Sequence, residues 1–215
     1  MKTVLECLEA GTTYLEERGI EDARRNMQWL VAHQLGCGRV ELYTQFDRPL
    51  AEDELEPLRD HLKRRGKGEP LQHLLGTVPF LGLDFLCDSR ALVPRPETEE
   101  LAAMVREMDF PRPTRLLDMG TGSGVLGISL AKELGQELGE AVLVDQSPEA
   151  LSLARENAER LEVTVQLVQA DLFSGVEGVF DLIVANLPYV PEGDRGSVAR
   201  EVAHDPTEAL YSGSD

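Results

Sequence analysis

An α/β fold, with a parallel sheet behind a small helical bundle and a β-hairpin linking the two, is what the sequence predicts, and three observations predict it. The second half of the chain alternates short apolar runs with amphipathic stretches, the pattern of repeated βαβ units. The first of these runs, Arg115 to Met119, leads through Gly120-Thr121-Gly122-Ser123-Gly124 into the apolar stretch Val125 to Leu130, which reads as strand, tight turn and helix. Residues 1–66, by contrast, repeat their apolar positions at helical spacing. A chain of 215 residues is long enough to bury one full core with a smaller domain beside it.

In the expected helical domain, 1–66, Val4, Leu5, Leu8 and Leu15 mark a helix from Thr3 to Arg18 that stops at Gly19. Ala23, Met27, Leu30, Val31 and Leu35 mark a second from Glu21, ended by Gly36. A short helix around Val40 to Thr44 and another from Ala51 to Arg65 complete the bundle, with Trp29, Tyr43 and Phe46 expected in its core. Gly66-Lys67-Gly68-Glu69-Pro70 breaks the pattern and opens a linker, 67–93, in which Leu74 to Phe80 and Leu83 to Cys87 read as a hairpin turning at Leu81-Gly82.

The domain expected over 94–215 begins with a helix from Pro96 to Met108, whose early proline and glutamates suit a helix start. The glycine turn and its helix follow. A second strand, Ala141 to Val144, ends in Asp145, and Ser147-Pro148-Glu149 opens a helix to Arg160. A third strand, Val163 to Val168, leads to Asp171, and a fourth, Phe180 to Ala185, delivers Asn186-Leu187-Pro188-Tyr189 at its carboxyl end. Beyond Tyr189 only a loop and a short tail are expected, so the sheet is expected to be truncated after its fourth strand, with an apolar edge left open.

A net charge of -18 opposes a surface built to neutralise phosphates, so no stable nucleic-acid partner is expected, and Lys63-Arg64-Arg65-Gly66-Lys67 reads as a solvated helix end. Cys7, Cys37 and Cys87 lie far apart with no CxxC, and His33, His61, His73 and His204 lack metal-ligand spacing; no disulfide framework and no metal site are expected. Glu6 and Glu9 interrupt the opening stretch, which therefore lacks a signal peptide's apolar run, and no run is long enough to span a bilayer. No membrane partner is expected, and the expected location is cytoplasmic.

A turn with glycines at alternate positions brings a ligand against the backbone, and the helix behind it aims its N-terminal amides there. Asp145, at the tip of the next strand, stands where a ribose presents its hydroxyls. Asp171 stands where an adenine amino group would donate, with Leu172 or Phe173 beside the ring. This order of elements means a nucleoside-bearing ligand without saying which. With Asp118 two residues before Gly120, the loop reads DxGxGxG, which resembles the S-adenosyl-L-methionine loop of Rossmann-like methyltransferases more than the GxGxxG of NAD enzymes. Asn186-Leu187-Pro188-Tyr189 admits two readings: turn chemistry, or a clamp for a planar amide or amine nitrogen. Such a nitrogen, its lone pair delocalised, must be held by acceptors and aimed at the methyl carbon. Asn186 Oδ1 and the Leu187 carbonyl are two acceptors, and Tyr189 offers a ring face.

Gly68-Glu69-Pro70-Leu71-Gln72-His73, Leu75-Gly76, Phe80-Leu81-Gly82-Leu83, Val93-Pro94-Arg95-Pro96-Glu97-Thr98-Glu99, the glycine loop, Asp145 to Leu151 and Asn186 to Tyr189 together resemble the peptide chain release factor N5-glutamine methyltransferases, the HemK/PrmC family. The resemblance covers nearly the whole chain. It implies a class I methyltransferase sheet and S-adenosyl-L-methionine as cofactor. Gly120, Thr121, Gly122, Ser123 and Gly124, with Asp118, would hold the methionine part; Asp145 the ribose; Asp171 and Leu172 the adenine; Asn186 would border the cofactor. It further implies that Asn186, Leu187, Pro188 and Tyr189 bind the glutamine of the release factor's Gly-Gly-Gln loop, with Asn186, Pro188 and Tyr189 catalytic, and that the helical domain docks the release factor. The family usually has proline where this chain has Leu187, and Asn-Leu-Pro-Tyr also resembles RNA adenine dimethylases. N6-adenine methylation of nucleic acid, and a non-catalytic cofactor-binding fragment, are the alternative readings.

Overall fold

The computed structural model describes residues 2–190 and 201–211. The chain divides into two compact units, Met1–Leu75 and Gly76–Asp215.

The first unit is helical: α1 (Val4–Glu16), α2 (Ala23–Leu35), α3 (Glu52–Gly66) and the short α4 (Leu71–Leu75). Thr3 opens α1 with a reciprocal cap, its hydroxyl accepting from the Glu6 amide while Glu6 Oε2 accepts from the Thr3 amide. α1 and α2 approach so closely that a Cβ at Gly11 would lie 2.3 Å from Met27 Sδ. Val4, Leu8, Leu15, Leu30, Val31, Leu55, Leu58 and Leu74 are among the residues of this core. Each such buried side chain contributes about 1.5–3 kcal/mol. Arg65, 2% exposed, donates to Asn26 Oδ1 and to the Glu69 carbonyl, tying the end of α3 to the start of α2.

Four features of this unit differ from the sequence expectation, the first being that Arg65 and Gly66 are buried where a solvated helix end was expected. Trp29 and Tyr43 are 36% and 55% exposed rather than core. The apolar stripe of α2 is Ala23, Met27, Leu30 and Val31, which turns Trp29 aside to meet the Arg39 guanidinium, while the Tyr43 hydroxyl is held outward by Gln28 Nε2 at 3.1 Å. The short helix is a 3₁₀ turn, Glu41–Thr44. Leu74 and Leu75 belong to α4 and not to a strand: after Pro70, Leu71, Leu74 and Leu75 share one helical face and pack into the helical core.

The second unit opens with the antiparallel hairpin β1 (Thr77–Phe80) and β2 (Leu83–Leu86), turning at Leu81 and Gly82, both at positive φ as a tight hairpin requires. After α5 (Pro96–Arg106) come β3 (Thr114–Met119), α6 (Val125–Leu134), β4 (Leu138–Asp145), α7 (Pro148–Arg160), β5 (Gln166–Gln169) and β6 (Leu182–Ala185). The four strands form one parallel sheet in the order β5-β4-β3-β6. β5 starts later than expected because Glu162 takes a left-handed φ and the Val163 amide turns back to the Ala158 carbonyl, closing α7 first.

Alternate residues of β3 and β4 enter different cores: Leu116 and Leu143 pack with Phe80, Phe85 and Ile128, whereas Leu117, Met119, Val142 and Val144 form a cluster of their own. Burial on both faces accounts for their near-continuous hydrophobicity. The register sets Met119 beside Val144 and Ala185, and Asp145 beside Gln169, so the carboxyl ends of all four strands finish level. Because β4 lies on one side of β3 and β6 on the other, the strand order reverses there, which is where open α/β sheets bind ligands.

Candidate functional site

A cavity opens at that reversal, floored by the glycine turn after β3. The turn is built from within by Asp118, the penultimate residue of β3. Its carboxylate is 2% exposed, and Oδ2 accepts from Thr121 Oγ1 at 2.6 Å and from the Gly127 amide at 2.9 Å, lashing the turn to the first helical turn of α6. The approach leaves no room for a side chain at 127, where a Cβ would fall 2.7 Å from that same oxygen. The Thr121 amide donates to the Val144 carbonyl. Gly120, Gly122 and Gly124 take φ of 67°, 56° and 83°, conformations that L side chains resist. Burial pushes the Asp118 carboxyl up to about 6, against the opposing pull of the Thr121 hydroxyl and the Gly127 amide.

Asp145 closes the next side. Its Oδ2 accepts from the Gly122 amide at 2.8 Å and its Oδ1 from the Ser147 amide at 2.9 Å. Each oxygen retains a lone pair for a hydroxyl arriving from the cavity. The Ala170 amide donates to the Asp145 carbonyl, which carries the chain past the same mouth to Asp171 and Leu172. Leu172 is half exposed and sits at φ 48°, a strained setting for a γ-branched side chain that holds an apolar surface at the rim.

β6 supplies the opposite wall. Asn186 donates through Nδ2 to Thr98 Oγ1 at 3.0 Å, and among the described residues Oδ1 has no protein partner. Leu187 lies over the turn, its Cδ2 occupying the space a Cβ at Gly120 would need. Pro188 restricts Leu187 to an extended backbone, so part of the stiffness of a proline at 187 is recovered from the residue after it. The wall is tied down by residues 201–211. Val190 bridges Tyr211, and Asp205, 6% exposed, takes the Val93 amide on Oδ1 at 3.1 Å and Arg95 Nη2 on Oδ2 at 2.6 Å. Burial raises the Asp205 carboxyl, and those two donors oppose the rise.

Of the candidate residues, the structure gathers Asp118, Gly120, Thr121, Gly122, Ser123, Asp145, Asp171, Leu172, Asn186, Leu187 and Pro188 around one cavity. Two fall outside its lining. Gly124 lies beneath the turn against Ile128 and Ala154, where its positive φ starts α6. Tyr189 is 80% exposed at the surface, since β6 ends at Ala185 and the chain is already leaving the sheet. Phe173, likewise 60% exposed, leaves Leu172 as the apolar side chain at the rim after Asp171. The sequence reading missed Thr98 and Arg95 as cavity residues, Asp205 as the tie between Arg95 and the Val93 amide, and Asn157, whose buried side-chain amide bonds the Ser123 carbonyl at 2.9 Å. A threonine on the apolar stripe of α5 and an asparagine on that of α7 were the available signals.

Among the described residues no three His, Cys, Asp or Glu side chains are grouped to hold a metal ion, and no helix is long and apolar enough to cross a membrane. The arrangement instead suits a cationic, nucleoside-bearing ligand. Asp118 and Asp145 flank a turn with glycine at 120 and 122, Asp171 stands at the far rim, and a neutral amide acceptor stands on β6.

Residues 6–76 match the family model described as PrmC N-terminal domain, and residues 100–215 match that described as Methyltransferase small domain. A protein of Geobacter sulfurreducens named release factor glutamine methyltransferase is 41% identical over 215 residues, covering 99% of this chain and 75% of its own. One of the same name from Deinococcus radiodurans is 40% identical over 209 residues, covering 97% and 74%. Among solved structures, a ribosomal protein L11 methylase from Lactobacillus delbrueckii subsp. bulgaricus aligns with 43% of this chain and 47% of its own at 34% identity and a TM-score of 0.38.

Proposed function

The chain belongs to the release factor glutamine methyltransferase family, and from that premise we propose how its cavity carries out the reaction: transfer of a methyl group from S-adenosyl-L-methionine to the side-chain amide nitrogen (N5) of the glutamine in the Gly-Gly-Gln loop of peptide chain release factors. The observation that carries the reading is Asn186. It stands at the carboxyl end of β6 beside the glycine turn, its Nδ2 engaged by Thr98 and its Oδ1 left to accept.

When bound, S-adenosyl-L-methionine supplies an electrophilic methyl group on a sulfonium. The residues that hold it fit a cation with a ribose and a purine. The turn 120–123 would hold the methionine part, Asp145 would accept from the ribose hydroxyls, and Asp171 with Leu172 would take the adenine; all of these residues line the cavity. The Asn186 amide oxygen and the Leu187 carbonyl accept the two N–H groups of the substrate glutamine, which fixes the plane of its nitrogen and aims it into the cavity. As the N–C bond forms, the methyl–sulfur bond breaks and its electron pair stays on sulfur, leaving the neutral thioether S-adenosyl-L-homocysteine; one of those N–H groups becomes acidic, and its proton leaves along the hydrogen bond to its acceptor and on to water. No separate base is needed. Tyr189, exposed beside Pro188, would close over the glutamine once the substrate loop is seated. The helical unit is the proposed docking surface for the release factor, and the acidic charge of the chain and its action on a protein of the translation apparatus support a cytoplasmic enzyme with neither nucleic acid nor membrane as a stable partner.

The deciding experiment is a mass spectrum of a release factor after incubation with this protein and S-adenosyl-L-methionine. One added methyl on the nitrogen of the loop glutamine is expected. Methyl transfer to adenine in RNA or DNA, or cofactor binding with no transfer at all, would overturn the reading.

Cofactor affinity should also depend on pH in a direction that Asp118 dictates. With its carboxyl at about 6, it is mostly protonated at pH 5 and mostly ionised at pH 7. A cation in the cavity favours the ionised form, so binding expels a proton at low pH, and affinity should rise about tenfold from pH 5 to pH 7. Calorimetry on the wild type and on Asp118→Asn, whose amide oxygen keeps both acceptor roles but cannot ionise, checks this. The variant should bind with a flattened profile, and an unchanged slope would assign the proton elsewhere.

A further inference from the structure

The core-facing stripe of α5 runs Thr98, Ala102 and Val105, with Leu101 packed beside it, and its first member is polar. Stripe positions ordinarily hold apolar side chains, and a hydroxyl buried at one must find a partner. Thr98 is 5% exposed, and its partner lies on the far side of the sequence: Asn186 Nδ2, at 3.0 Å.

We propose that Thr98 is a positioning residue for methyl transfer, holding the Asn186 amide so that its oxygen, and not its nitrogen, faces the substrate. The proposal rests on the role given to Asn186 above. An asparagine side chain has an acceptor end and a donor end of nearly the same shape. Turned over, Asn186 would present N–H groups to the N–H groups of the substrate amide, so donor would face donor and the glutamine nitrogen would lose its aim. A hydroxyl can accept or donate, and here Thr98 Oγ1 accepts from Nδ2, which anchors the amide and leaves Oδ1 as the end free to accept; neither Leu187 nor Pro188 has a polar side chain to offer. Thr98 suits the task because its own place is set by a helix start: Pro96 opens α5, and the Thr98 amide is bonded to the Arg95 carbonyl at 3.0 Å. Thr98 and Asn186 both line the cavity, so the bond lies at the reacting centre's edge.

The test uses the full chain, a release factor as substrate, and two variants. Thr98→Val keeps the shape and removes the hydroxyl, and its kcat should fall about tenfold to a hundredfold, the scale of a misaligned reacting group. Its KM for the release factor and Kd for S-adenosyl-L-methionine should stay within about threefold, and its thermal midpoint within about 4 °C. Thr98→Ser restores the hydroxyl and should recover kcat to within about threefold of wild type. The proposal is overturned if Thr98→Val keeps its kcat within about twofold, if Thr98→Ser falls as far as Thr98→Val, or if cofactor affinity and thermal midpoint drop together with kcat. Wild-type protein that transfers no methyl group to the glutamine would overturn the function itself, a result visible before any variant is made.

Discussion

Asn186→Ala should lower kcat for glutamine methylation about a thousandfold while Kd for S-adenosyl-L-methionine stays within a few fold, a loss of about 4 kcal/mol of transition-state stabilisation. The asymmetry follows from where the residue sits. The turn 120–123, Asp145 and Asp171, which are proposed to hold the cofactor, are carried by β3, β4 and the segment after β5, and they are tied to one another by bonds that do not pass through Asn186. Removing the amide therefore leaves the cofactor's seat standing. What disappears is the acceptor proposed for one of the two substrate N–H groups, and with it the fixed plane of the nitrogen. The substitution also leaves Thr98 Oγ1 without the bond from Nδ2, at a cost in stability of about 1 kcal/mol, too small to be mistaken for the kinetic effect. Parallel measurement of turnover and calorimetric binding separates the two. Turnover within a few fold of wild type would take Asn186 out of the mechanism.

The parts of this site that were readable beforehand are those set by short-range rules. Glycines at 120, 122 and 124 announce a backbone at positive φ, and Ser147-Pro148-Glu149 announces a helix start, since in each the residues within a few positions decide the conformation. The apolar runs of β3 and β4 announced buried parallel strands for the same reason. The pairings that cross the chain gave no such notice. Nothing adjacent to Thr98 indicates that its hydroxyl meets Asn186, or that Asp205 holds Arg95 and the Val93 amide, because each depends on strand order and register. Trp29 and Tyr43 misled for a related reason: aromatic side chains were assigned to a core by their chemistry, whereas Arg39 and Gln28 hold them at the surface. At Leu74 and Leu75 two apolar residues fit either a strand or one helical turn, and packing with Leu71 against the helical core decided for the helix.

The second large effect is on folding. Asn157→Leu should cost about 3–5 kcal/mol of stability, enough to bring a domain of ordinary stability near its unfolding threshold. Asn157 is fully buried on the inner face of α7, a position where its neighbours Leu153, Ala154 and Ala158 are apolar. Its Oδ1 accepts from the Leu86 amide at 2.6 Å, and its Nδ2 donates to the Leu86 carbonyl at 3.2 Å and to the Ser123 carbonyl at 2.9 Å. One side-chain amide thus stands in for an absent neighbouring strand at the edge of β2 and, from the same group, fixes the carbonyl in the middle of the glycine turn. Leucine has the same branched four-atom outline and a larger volume, so no cavity opens; the loss is three backbone groups left without these partners, those of Leu86 part-buried and the Ser123 carbonyl buried, each worth about 1–3 kcal/mol when fully shielded from water. Urea titration of the wild type and the variant measures the sum, with the slope held to the same value if only the folded state is affected. A second consequence separates this site from an ordinary buried asparagine: with the Ser123 carbonyl released, the turn loosens where it is proposed to hold the cofactor, and Kd for S-adenosyl-L-methionine should weaken at temperatures where the variant is still folded. A stability loss of less than about 1 kcal/mol, or unchanged cofactor affinity, would mean that the hairpin and the turn do not share this single tie.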